Sequence, residues 1–358
     1  MRIVITGATG NVGTALVRRL AESGEHTLVG LARRLPEHPD PDAAPAGVTY
    51  SSVDLTQDES VPDLERELRG ADAVVHLAWG FQPSHDLDYL RELGVGGTRR
   101  VIRAVAATGV PPLVHMSSVG AYSPKLDDEP VDESWPTGGV PTSRYSRHKA
   151  AAERLLDRFE AEGPDTVVTR MRPGIIGQRS AGSALLRYGV PALVPAWALD
   201  LVPVLPMDRR LVVPMVHADD VADAFERVLL GRVGGAFNLA ADPPVTTQLI
   251  AEALGARPVH VPSAVIRTVM DLAWRAHLQQ VDTGWLDMGF ALPLLDSSRA
   301  AKELGWTPHK DAVSVLREVL EGMRDTDAAG TPVLRRRTVA DQLLTAVRRA
   351  PVGRRTQP

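Results

Sequence analysis

The first thirteen residues constrain this chain more than any other stretch. Met1-Arg2-Ile3-Val4-Ile5 is an apolar, β-branched run that reads as a buried parallel strand. Thr6-Gly7-Ala8-Thr9-Gly10-Asn11-Val12-Gly13 follows, and then Leu16, Val17 and Leu20 mark a helical apolar stripe that stops at Gly24. A strand, a glycine-rich turn and a helix in this order make a phosphate-binding unit. The glycines permit a tight turn, let backbone N–H groups approach a pyrophosphate, and allow close packing of helix on strand.

The rest of the chain keeps the same alternation. Strand signals recur at 27–32, 48–53, 73–78, 113–117, 166–171 and 236–240, with helical stretches near 14–23, 60–69, 87–107, 146–162 and 219–230. Such alternation predicts an α/β fold, a doubly wound parallel (Rossmann) sheet with right-handed crossovers. Residues 1–180, with 212–241 returning to them, form the expected dinucleotide-binding domain. Residues 181–211 and 242–324 interrupt the alternation and read as a smaller C-terminal substrate lobe over the carboxyl edge of the sheet.

Composition narrows the class. At 358 residues, 44% hydrophobic and 23% charged, the chain has the balance of a soluble globular protein larger than one small core. It has no cysteine, which excludes disulfides, thiolate metal sites and cysteine nucleophiles, and fits a reducing cytoplasm. No secretory signal is expected ahead of the first strand, and the apolar stretch 185–216 is too broken by proline and charge to be a membrane span. Charge is uneven: the total is −4, but residues 332–358 carry seven arginines against Asp341, leaving a clear negative balance elsewhere. A Gly/Asp/Thr linker near 325–331 is expected to lead into this basic tail at 325–358, where Val339, Leu343, Leu344 and Val347 form the apolar stripe of a short terminal helix. It reads as a docked or frayed helix with a solvated basic face, so no nucleic-acid partner is expected. His217-Ala218-Asp219-Asp220 reads as a strand end with Asp219 or Asp220 capping the next helix, and no metal site is expected.

The chemistry is expected at Tyr145 and Lys149. Four residues apart, they share one helix face, about one turn from each other. A tyrosine titrates near ~10, so acid–base work near neutrality asks for a shift of roughly 3 units, about 4 kcal/mol, which a neighbouring ammonium can help supply. The strand at 113–117 runs into Ser117 and Ser118, and a Ser118 hydroxyl can approach the oxygen that Tyr145 also reaches, a geometry that polarises a carbonyl. Trp79, Phe81, Trp197, Trp274, Trp285 and Phe290 fall in segments expected to border the mouth of the site. Trp79, Phe81 and Trp197, with Ser118 and Tyr145, are the candidate substrate contacts.

With these motifs in order, the chain resembles the extended short-chain dehydrogenases/reductases, which include nucleotide-sugar epimerases, dihydroflavonol-type reductases and hydroxysteroid dehydrogenases. The likeness covers about residues 1–324: the turn Thr6–Gly13, Asp54-Leu55, His76-Leu77-Ala78, Ser118, Tyr145 with Lys149, Arg172-Pro173, Val216–Val221, Asp296–Ala300 and Leu304–Pro308. The resemblance implies an NAD(P)-dependent enzyme in which Tyr145 is the acid or base, Ser118 orients the substrate, and Lys149 holds the nicotinamide ribose and lowers the tyrosine pKa. It places Thr6, Gly7, Thr9, Gly10, Asn11, Val12, Gly13, Arg33, Asp54, Leu55, Leu77, Ala78, Lys149 and Pro173 against the cofactor. The family often has an asparagine where this chain has Gly94.

Charge bears on the cofactor. The second strand ends in Ala32, where an NAD enzyme would place a carboxylate, and Arg33 follows, which suits a 2′-phosphate. NADP is therefore expected, with NAD as the alternative. The segment after the sixth strand lacks the asparagine usual in nucleotide-sugar members. On these grounds the expected activity is NADP-dependent reduction or oxidation of a hydrophobic small molecule. A redox-neutral nucleotide-sugar epimerase or dehydratase and a non-catalytic NADP sensor are the alternatives. Helices near 87–107 and 146–162 are a possible homodimer surface.

Overall fold

The computed structural model describes residues 1–36, 45, 47–80, 85–163, 165–189, 196–279, 281–336 and 338, with backbone alone at 188 and 189. In chain order the elements of the first half are β1 (Arg2–Thr6), α1 (Asn11–Glu22), β2 (Thr27–Ala32), β3 (Val48–Ser52), α2 (Val61–Leu68), β4 (Ala73–His76), α3 (Leu87–Arg91), α4 (Gly97–Thr108), β5 (Pro112–Met116), α5 (Arg144–Glu162) and β6 (Val167–Pro173). There follow β7 (Ile175–Gly177), α6 (Gly182–Gly189), β8 (Val204–Met207), β9 (Val212–His217), α7 (Ala218–Gly231), β10 (Gly235–Leu239), β11 (Ala241–Thr246) and α8 (Thr247–Leu254). The chain continues through β12 (Arg257–His260), α9 (Ser263–Arg275), α10 (Thr283–Ala291), α11 (Ser298–Leu304) and α12 (Ala312–Arg324).

Seven strands form one sheet in the order β10-β6-β5-β4-β1-β2-β3, and every pairing in it is parallel. The reversal of strand order falls between β1 and β4, so a crevice opens at their carboxyl ends, where ligands bind in such sheets. One sheet face packs Ile3, Ile5, Val114 and Phe237 against Leu16, Leu20 and Phe225 of α1 and α7. The other packs Val4, Val74 and Leu113 against Leu64, Val101 and Leu156 of α2, α4 and α5. This is the doubly wound architecture expected from the alternation.

Three features differ from the expectation. The helix at 87–107 is broken by a π-helical turn, Glu92–Gly96, between α3 and α4. A second sheet, β11-β9-β7, lies beyond the main one and packs Val213, Met215 and Val245 against Val315 and Leu316 of α12. Its strands are short, and their residues carry no alternation long enough to announce them. The helix α7 is capped by the His217 ring, whose Nδ1 accepts from the Asp219 backbone N–H at 3.1 Å, and not by Asp219 or Asp220. Asp220 instead turns inward and accepts the backbone N–H of His309 at 2.9 Å, fastening the segment that follows α11. The lobe is built from β8 paired with β12, together with α8, α9 and α10. Among the described residues no helix is long and apolar enough to cross a membrane.

Candidate active site

The glycine-rich turn joins β1 to α1 at the crevice. Gly7 has φ +74°, and a Cβ there would come within 2.6 Å of the Ala78 backbone nitrogen; at Gly13 a Cβ would lie 2.2 Å from the Gly7 carbonyl oxygen. Both positions require glycine, one for its left-handed conformation and both for backbone-to-backbone approach. A cleft of ≈ 840 Å³, its open mouth included, starts at this turn. It runs past Ala32, Arg33, Arg34, Asp54 and Leu55 on one side and Leu77, Ala78 and Trp79 on the other. A glycine turn at one place, an arginine pair at another and an aromatic ring at its end fit an extended dinucleotide.

Thr6, Gly7, Thr9, Gly10, Arg33, Asp54, Leu55, Leu77 and Ala78 line this cleft as expected. Four others are placed differently. Val12 and Gly13 are buried in α1, and Val12 belongs to the core. Asn11 is the first residue of α1, and its amide donates to the Ile176 carbonyl at 3.3 Å while Gln178 donates to its side-chain oxygen at 2.7 Å. Pro173 is buried at the end of β6, paired in register with Leu239, and is not a lining residue of the cleft. Arg33 donates to the Tyr89 hydroxyl at 3.0 Å, and Asp54 accepts from the Thr56 hydroxyl at 2.7 Å. Each holds a fixed orientation.

The residues expected to carry the chemistry stand at the Trp79 end. Ser118 leaves β5 and caps a short turn by accepting the Gly120 N–H at 3.0 Å, and its hydroxyl shares a hydrogen bond with Tyr145. A Cβ on Gly120 would sit 2.8 Å from the Tyr145 ring, so the absence of a side chain there lets the ring lie flat beside the serine. Trp79 lies edge-on to Tyr145 at 6.3 Å and Trp285 is tilted against it at 5.0 Å. Two tryptophans therefore pack against the Tyr145 ring. Trp197 is 62% exposed on a turn of the lobe, and Phe81 lies outside the described residues.

Lys149 departs from its expected role in this state. Its ammonium is buried, donates to the Met116 carbonyl at 2.7 Å, and lies 3.6 Å from the centre of the Trp79 ring. Burial lowers its pKa well below the usual lysine value, with Glu153 pulling the other way. Burial likewise pushes the Tyr145 hydroxyl up to about 12, opposed only by the Ser118 hydrogen bond. Desolvation thus outweighs the Ser118 hydrogen bond, and Tyr145 rests as a proton donor. The same tryptophan accounts for Gly94: a Cβ there would meet the Trp79 ring at 3.0 Å, so indole fills the space that an asparagine would need. Beneath it, His115 is buried with neither ring nitrogen hydrogen-bonded, and burial holds its pKa well below the ordinary histidine range.

A buried ionic network braces the corner. Glu153, four residues past Lys149 on α5, receives both Arg172 Nε at 2.9 Å and Arg172 Nη2 at 2.8 Å, and Ser117 donates to it at 2.5 Å. Arg172 also donates to the Tyr122 hydroxyl at 3.0 Å, which in turn donates to Asn238 at 2.7 Å. The network ties α5 to β5, β6 and β10 behind the catalytic residues. Sequence reasoning missed Glu153, although the spacing of 145, 149 and 153 puts it on the same helix face.

A seven-stranded parallel sheet with a glycine-rich turn at its carboxyl edge defines a dinucleotide-binding type of fold. Residues 3–240 match the NAD dependent epimerase/dehydratase family, and the chain belongs to it. It thereby falls among the extended short-chain dehydrogenases/reductases by family. An uncharacterized protein of Mycobacterium tuberculosis is 28% identical over 90% of this chain, and the chain spans 30% of that protein's length. The dTDP-6-deoxy-L-talose 4-dehydrogenase (NAD(P)(+)) of Kitasatospora kifunensis is 29% identical, with 89% of this chain and 94% of that protein covered. In fold, the chain is similar to the Thermus thermophilus UDP-glucose 4-epimerase solved with NAD: TM-score 0.65, 23% identity, 90% and 99% of the two chains covered. The dTDP-glucose 4,6-dehydratase of Streptomyces venezuelae, solved with NAD, gives TM-score 0.66 at 23% identity, with 91% and 97% covered.

Proposed function

We propose that the protein catalyses reversible hydride transfer at a secondary alcohol or ketone carbon of a nucleotide-linked sugar and keeps its dinucleotide, so that the overall reaction is redox-neutral, as in an epimerase. The observation that carries this is the Tyr145–Ser118 hydrogen bond at the Trp79 end of the cleft. The dinucleotide supplies the hydride acceptor and donor at nicotinamide C4. Tyr145 moves the proton at the substrate oxygen, Ser118 orients that oxygen, and Trp79 and Trp285 exclude water from the exchange. An elimination would need a further acid and base at neighbouring carbons, and the stretch from Ser117 to Ser123 holds no carboxylate. The Kitasatospora relative named above leans the same way, toward nucleotide sugars, and away from the hydrophobic-substrate reading drawn from the aromatic residues and the missing asparagine.

Arg33 and Arg34 in the cleft, with Ala32 in place of a carboxylate, support acceptance of a 2′-phosphate, so NADP fits this site as well as NAD. One observation favours a second reading, NADPH-dependent reduction of an apolar carbonyl compound: the substrate side of Tyr145 is walled by indole rings. A panel of UDP- and dTDP-hexoses and apolar ketones separates the two. Sugar interconversion without consumption of added NADPH supports the first; stoichiometric loss of NADPH absorbance with a ketone overturns it.

A further inference from the structure

Beyond α12 the chain does not run off as a linker. Residues 326–336 turn back, and Thr331 reaches the glycine-rich turn, where its hydroxyl donates to the Thr9 carbonyl at 2.9 Å across 322 positions of sequence. Thr331 is 1% exposed and Thr9 4%. Pro332 and Val333 follow and line the cleft together with Gly7, Thr9 and Gly10. Leu334 anchors the segment in an apolar pocket with Ala181 and Ala184, and the Arg187 guanidinium donates to the carbonyls of Val333 and Arg335. Nearer α12, Ser183 donates to the Thr326 carbonyl at 2.7 Å, and Arg179 pairs with Asp327 at 2.5 Å. The family match covers residues 3–240, and this segment lies outside it.

We propose that this C-terminal strap is part of the cofactor site: Thr331, Pro332 and Val333 roof the phosphate-binding turn and hold the dinucleotide against exchange. The proposal rests on the reading of the cleft as a dinucleotide site. The chemistry of the roof suits that task. Proline and valine cover the turn with apolar surface and bring no anionic side chain to compete with a phosphate for its N–H groups, while the Thr331 tether is spent on a carbonyl that could not bind a phosphate. Release then requires the strap to lift, against the Thr331 hydrogen bond, the Leu334 anchor and the Arg187 contacts together. Slow release is what a redox-neutral cycle requires of its cofactor.

The test keeps the full chain and leaves Leu334 intact. Thr331→Val removes the tether, and Val333→Asp sets a carboxylate over the phosphates. NADH and NADPH release is followed by stopped-flow fluorescence against excess unlabelled nucleotide, with the thermal midpoint of the ligand-free variants as a control for folding. Each variant is expected to release the cofactor at least about tenfold faster, equivalent to about 1.4 kcal/mol of retained binding. Lys302→Gln, exposed on α11 and not a lining residue of the cleft, is expected to release it at the parental rate. As a second readout, cofactor should protect the parental protein from trypsin cleavage after Arg335 and Arg336. Parental release rates in both Thr331→Val and Val333→Asp, with no protection, would overturn the strap while leaving the cleft's reading in place. A parental protein that binds neither dinucleotide would overturn both.

Discussion

The glycine-rich turn and the corner around Tyr145 lie side by side on one sheet edge, yet they are made of different materials. The turn is a backbone device, in which Gly7 and Gly13 are required because main chain touches main chain. The corner is a side-chain device. Tyr145 is set by Ser118, Trp79 and Trp285, and its helix by a buried Glu153–Arg172 pair, so its working parts come from five separate stretches of chain. A backbone device fails all at once when its geometry is blocked. A side-chain device loses chemistry, stability and specificity separately, and substitution can pull these apart.

The largest expected effect is in the turn. Gly7→Val meets both a left-handed φ and a backbone atom 2.6 Å from the new Cβ, so about 4 kcal/mol or more of stability and all measurable dinucleotide binding should be lost. Denaturant unfolding and calorimetric titration check this; a variant that binds normally would show that the turn tolerates more than its geometry suggests.

Glu153→Ala comes next. It leaves Arg172 buried without its carboxylate, at a cost of about 3–5 kcal/mol of folding stability, readable as a lowered urea midpoint. Retention of parental stability would mean that the network braces nothing.

Tyr145→Phe should be nearly silent in stability and cofactor binding but lower turnover by about 10²-fold or more. Because the Tyr145 hydroxyl stays protonated up to about 12, carbonyl reduction should be flat across neutral pH. Alcohol oxidation, which needs the phenolate, should speed up as pH rises toward that value. A flat oxidation profile would remove Tyr145 from the proton transfer.

The smallest effect concerns cofactor choice. Binding of NADPH should exceed that of NADH by about tenfold, or about 1.4 kcal/mol, and Arg33→Ala should erase the preference with NADH affinity unchanged. Equal affinities in the parental protein would assign Arg33 to its Tyr89 contact alone.

The same contrast explains what the sequence made legible. A turn written in eight consecutive residues, and strands with apolar runs of ordinary length, can be read locally, and β2 begins and ends where its residues predict. Tyr145 and Lys149 are readable because a helix fixes their spacing. Their surroundings are not: Trp79 against Gly94 and Trp285 against Tyr145, like the strap on Thr9 at the other end of the cleft, are contacts between distant segments that no local pattern encodes. The reversal at Tyr145 has the same origin. Its shift depends on how far burial outweighs a hydrogen bond from Ser118, and burial belongs to the folded state.

Single-turnover absorbance tests the central claim most directly. Protein preloaded with oxidised dinucleotide is mixed with UDP- and dTDP-hexoses, and the reduced-nicotinamide band is followed in the parental enzyme and in Tyr145→Phe. The account predicts a transient rise that decays to no net change while the sugar is interconverted, with the transient lost in Tyr145→Phe. No transient with any nucleotide sugar, together with stoichiometric oxidation of NADPH by an apolar ketone, would contradict it.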